Sequence, residues 1–144
     1  MNWGALNVWW VYALASAFFA ALTAVLAKVG VKGIDSDLAT AIRTIVILII
    51  TWGIVFFKNG AGGLNSLSKN NVLFLVLSGI ATGLSWLFYF RALQMGKVSH
   101  VAAVDKTSVA LAMILAVIFL HDALSLKLIL GVLMVMAGTM IIIL

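Results

Sequence analysis

Between Ser78 and Asp122 the chain sets an arginine, an aspartate, a lysine and a series of hydroxyls inside two runs that are otherwise apolar. Ser78, Thr82, Ser85 and Tyr89 recur at intervals of four, three and four, so on a helix they form one continuous polar stripe. Such groups hold a ligand through hydrogen bonds. They do not make a catalyst, because no nucleophile, base and orienting residue can be assembled from the few titratable side chains, and an enzyme is therefore disfavoured. Trp86, beside the stripe, offers a face on which a substrate would stack, or else an anchor for packing and the membrane interface. Ser and Thr also bond back to carbonyls of the preceding turn, which is the plainer account of the same residues.

Four charges accompany the stripe: Arg43, Arg91, Asp105 and Lys106. Arg43 falls about 9 Å inside the expected start of its helix, near the limit from which an arginine stem reaches headgroups. Arg91 and Lys106 lie nearer to helix ends, where snorkelling accounts for them equally well. Asp105 has a short side chain and needs either a cation or the positive end of a helix dipole. A carboxylate at membrane depth marks a functional group by default, so Asp105 reads as a functional or gating residue ahead of a capping, structural one. The short GKVS link makes the flanking helix ends antiparallel neighbours, which predicts Arg91 close to Asp105.

The elements that position these groups follow from composition. With 144 residues, 65% hydrophobic and 9% charged, the chain reads as an all-α integral membrane protein. Five transmembrane helices are expected at about 8–27, 38–57, 72–94, 101–121 and 126–144, and together they leave room only for short loops. One membrane domain over 1–144 is the expectation. The first run lacks a basic n-region and a convincing cleavage site, so it reads as a retained helix. The charge of +5 sits at helix ends, where anionic lipid headgroups are the simpler partner and nucleic acid is not expected. Cysteine is absent and two His accompany four Asp, so neither a disulfide, a metal site nor another cofactor is expected.

Within the helices, Tyr12, Ser16 and Thr23 form a weaker stripe on the first, and Thr40, Thr44 and Thr51 lie beside Arg43 on the second. Gly79 and Gly83 form a GxxxG contact surface next to the main stripe. Asp35, Ser36 or Asp37 is expected to cap the second helix, and Asp122 the turn that follows the fourth. The fifth carries the single hydroxyl Thr139 and is expected outside any polar path. A cavity lined by Tyr12, Ser16, Ser78, Thr82, Ser85, Trp86 and Tyr89 is the resulting candidate site.

The order of these residues resembles the EamA domain of the drug/metabolite transporter superfamily, closest to its single-copy, five-helix bacterial and archaeal branch. AKVGVKGIDSDLATAIRTIVILI, SWLFYFRALQMGKVSHVAAVDKTS and FLHDALSLKLILGVLMVMAGTMIII carry the resemblance, which covers the whole chain. It implies one half of a ten-helix inverted-repeat transporter fold, a small-molecule substrate, alternating access, and a homodimer in the cell membrane of a prokaryote. The chain departs from that pattern at three places. It has Val109 where ten-helix relatives often carry proline, Asp122 where glutamate is usual, and no carboxylate in the first helix, so the ion exchange of four-helix multidrug relatives does not transfer.

Two functions compete at this level. A secondary transporter would hold substrate between two protomers, inserted antiparallel. Arg43, Arg91 and Lys106 against Asp105 favour an anionic or zwitterionic metabolite. A non-transporting subunit packed on a larger membrane protein needs the small residues but not four hydroxyls in phase. A passive channel lacks a ring of acidic residues or a filter-like loop.

Overall fold

The computed structural model describes residues 8–58 and 60–144. Its elements are α1 (Trp9–Gly30), α2 (Ser36–Phe57), a 3₁₀ segment at Gly60–Ser66, α3 (Lys69–Met95), α4 (Val98–Asp105), α5 (Ser108–Leu115), a π turn at Ala116–Leu120, and α6 (Leu126–Ile143). Taken together, α4, α5 and the π turn make one span, so five helical segments are long and apolar enough to cross a membrane. The described residues divide into two compact units, one within 28–95 and the other of 8–27 with 96–144.

In the first unit α2 and α3 form an antiparallel hairpin. Asp35 starts α2: its Oδ1 accepts from the amides of Asp37 (2.9 Å) and Leu38 (3.1 Å), which resolves the three candidate caps in favour of the first. Two amides that the helix itself leaves unpaired are thereby satisfied. Asp35→Ala is expected to destabilise the folded chain by about 1 kcal/mol, with Asp35→Asn largely restoring it, in reversible unfolding from mixed micelles. An unchanged midpoint for the alanine variant would show that the cap contributes nothing.

The same end of the hairpin is closed by side chains on main-chain oxygens. Gln94 near the end of α3 donates from Nε2 to the carbonyls of Ile34 (2.7 Å) and Val31 (3.4 Å), while Lys28 Nζ donates to the Leu93 carbonyl at 2.5 Å. Helix C-termini carry carbonyls without amide partners, and a donor or cation there is favourable. Gly33 makes the turn with φ +81, a region costly for residues with a Cβ. Val31, Ser36, Thr40, Phe90 and Leu93 are buried, so the core of this unit sits at the end where the α1–α2 link meets α3.

In the second unit α4 and α6 pack together, and the buried Thr139 Oγ1 donates to the Ala103 carbonyl at 3.2 Å. Small side chains allow that approach. Ser125 caps α6, its Oγ accepting from the Leu128 amide at 3.1 Å. Asp122 lies three residues earlier, in the link between the π turn and α6.

The fourth span also differs from a single helix over 101–121. Amides of Lys106 and Thr107 bond three residues back, to Ala103 (3.1 Å) and Val104 (2.9 Å), and those of Val109 and Ala110 do likewise. The α ladder is thus interrupted ahead of Val109 without any proline. Near its end the span widens into the π turn, and His121 closes it with φ 57.

Candidate functional site

Arg43 leaves α2 about two turns from its start and turns its head onto α3. Its guanidinium carbon lies 4.1 Å from the centre of the Trp86 ring and 5.1 Å from that of Phe90, both on α3. Tyr89, one residue from Phe90, is within electrostatic range of the same guanidinium. A cation at this distance from a ring face is drawn to its negative quadrupole, and more strongly where water is excluded. Arg43, expected on the second helix, and Trp86 and Tyr89, both expected on the third, therefore form one cluster. Phe90 is its buried floor.

Phe90 is not among the expected site residues, because in the sequence it is one more apolar position of an apolar run. The signal that would have found it is spacing. Trp86 and Phe90 lie four apart on α3, so an arginine at the matching height of an antiparallel neighbour meets both.

The hydroxyl stripe stands differently. Ser78, Thr82 and Ser85 are exposed on the protomer, and Tyr89 is half-buried. Thr82 Oγ1 donates to the Ser78 carbonyl at 2.9 Å, so its proton is engaged within the helix and its oxygen remains an acceptor. On α2 every threonine of the weaker stripe bonds back in this way: Thr40 to Ser36 (2.9 Å), Thr44 to Thr40 (2.8 Å) and Thr51 to Ile47 (2.9 Å). The plain account of hydroxyls in a membrane helix suffices for α2, where they satisfy one another's turns.

Gly79 is exposed and Gly83 half-buried, and a Cβ added to either would meet nothing within 4 Å. Neither glycine is a site of close helix approach within the described protomer. Tyr12 and Ser16 are exposed on α1, in the other unit from the main stripe.

Of the remaining charges, Arg91 is exposed on α3. Asp105 ends α4, at the negative rather than the positive end of a helix dipole, and meets its neighbour Lys106 at 3.6 Å with both side chains about half exposed. An exposed pair of this kind contributes little to stability, roughly 0–1 kcal/mol. Its local effect is to give the carboxylate a cation where the helix supplies none.

Five apolar helical spans, the longest of them carrying the hydroxyl stripe, indicate a multi-pass membrane protein. Residues 7–144 match the EamA-like transporter family, and the chain belongs to that family. It is also similar to a Sinorhizobium protein named as an uncharacterized transporter in the cobO 3' region. The two are 48% identical over 133 residues, which is 92% of this chain and 94% of the relative. No solved structure matches the chain.

Proposed function

We propose that the protein is a secondary-active transporter of a small molecule, working by alternating access as an antiparallel homodimer in a prokaryotic cell membrane. The observation that carries this reading is the family match over nearly the full chain, together with a relative of corresponding extent that is named as a transporter. A five-helix chain of this family supplies one half of the inverted pair from which such transporters are built, so the second half comes from another copy. The open face of α3 supports the pairing. Its hydroxyls and two glycines form a polar strip with close-packing capacity, and the protomer leaves both glycines uncovered.

The test requires no named substrate. Small molecules inside and outside cells overproducing the chain are compared with those of cells overproducing an inactive variant, and any redistributed compound is then used in counterflow with purified protein in liposomes. The expected result is at least one compound whose uptake is accelerated by the same compound on the opposite side. Redistribution that persists in the variant, or the lack of any, would favour a subunit without transport activity of its own.

A further inference from the structure

The Arg43 cluster is more specific than a cation in an apolar helix requires. Arg43 is half-buried within a membrane span, it faces two aromatic rings, and among the described residues no carboxylate lies within ion-pair distance of it. Ring faces stabilise its charge but do not accept its N–H groups as an oxygen would. A guanidinium carries five such donors in a planar fork that matches the two oxygens of a carboxylate or the edge of a phosphate. An arginine retained only as an interfacial anchor would extend to the headgroups, as its length allows. Here the head is turned onto α3.

The protein's four acidic residues make the same point from the other side. Asp35 is occupied with the α2 amides and Asp105 with Lys106, while Asp37 sits in the first turn of α2 and Asp122 between the π turn and α6. The anion that would complete Arg43 therefore comes from outside the chain.

We propose that Arg43, backed by Trp86 and Phe90, is a subsite for a single oxyanion group, and that the group belongs to a small organic acid with a planar or apolar body. The oxyanion takes the guanidinium fork, and the body lies along the indole and phenyl surfaces. Apolar walls with few oriented polar groups are the usual composition of a small-molecule site. This rests on the transporter reading for its biological sense, but it concerns binding and is tested by binding alone.

The indole itself is the reporter. Trp3, Trp9, Trp10 and Trp52 are replaced by phenylalanine so that Trp86 is the sole tryptophan, and the full chain is held in a maltoside detergent, which carries no phosphate. Benzoate and benzamide, similar in shape and different in charge, are titrated while Trp86 emission is followed. Benzoate should change the emission saturably and benzamide should not. Arg43→Gln should weaken the benzoate response at least about tenfold, the scale of a lost hydrogen bond to a charged group. Arg43→Lys keeps the charge without the fork and should fall between the two, and helical circular dichroism is compared for all three to exclude misfolding.

Equal responses to benzoate and benzamide, a benzoate response unaffected by Arg43→Gln, or no response at all would each overturn the proposal. Phosphatidylglycerol micelles supply the same oxyanion chemistry from a lipid. An emission change with that lipid which benzoate does not reverse would overturn the small-acid assignment and leave Arg43 a headgroup site. Loss of counterflow with binding intact would remove the transporter reading and not this one.

Discussion

With Ser78, Thr82 and Ser85 changed to alanine and Tyr89 to phenylalanine together, redistribution of the transported compound should fall to the level of cells that lack the protein. The substituted groups are three hydroxyl-bearing side chains that the protomer leaves exposed and one half-buried phenol. Each hydrogen bond from such a group to a ligand is worth about 0.5–1.5 kcal/mol net, so two lost contacts already reduce affinity by about five- to a hundredfold. Folding should be little affected. Exposed side chains without special backbone or packing roles change stability by roughly 0.5 kcal/mol or less, and the bond from Thr82 to the Ser78 carbonyl is a local back-bond. Equal transport by the fourfold variant would refute the assignment of this face to the substrate path. Loss of the folded protein instead would identify the stripe as a packing surface.

The second large effect concerns orientation. Lys and Arg in short loops set the direction of insertion. By the alternation of five spans, Lys58, Lys69 and Lys127 fall on one face and Lys28, Lys32 and Lys97 on the other, three against three. Assigning Arg43, Arg91 and Lys106 to their nearest face raises the second group to six. Arg43 lies against Trp86 and Phe90 on α3, and leaving it out of the count gives three against five. So weak a bias is what an antiparallel pair needs.

Single cysteines report it directly, because the chain has none of its own. Gly30→Cys and Gly62→Cys lie beyond opposite ends of α2, and neither added Cβ meets an atom within 4 Å. In intact cells an impermeant thiol reagent should label both variants, each on a comparable and incomplete fraction of chains, with the remainder labelled after lysis. Complete labelling of one and none of the other would establish a single direction of insertion and exclude the antiparallel dimer.

Spans and caps are legible in the sequence because they depend on local composition. Five apolar runs identify five helices, and an aspartate ahead of such a run identifies the α2 cap to within two residues. Contacts between helices are less legible. Arg43 and Trp86 are 43 positions apart, and their meeting depends on the register of α2 against α3, which no pattern within either helix reveals. In the sequence Gln94 marks only a helix end, while in the structure its amide serves carbonyls about sixty residues earlier. The threonines of α2 show the converse. Their periodicity is visible, but whether the hydroxyls face a path or their own helix is a matter of rotamer, and the structure turns them inward to the backbone.

The interruption between α4 and α5 has a consequence for compliance. A proline deletes a donor and wedges the preceding turn, so the break it makes is permanent. Here the amides of Lys106, Thr107, Val109 and Ala110 all keep partners, displaced by one residue from the α pattern. Each of those donors regains the ordinary ladder by sliding to the adjacent carbonyl, with no group to be created or lost. At Lys106–Thr107 the fourth span thus departs from the α pattern with these four donors still engaged, where a proline would remove one of them for good.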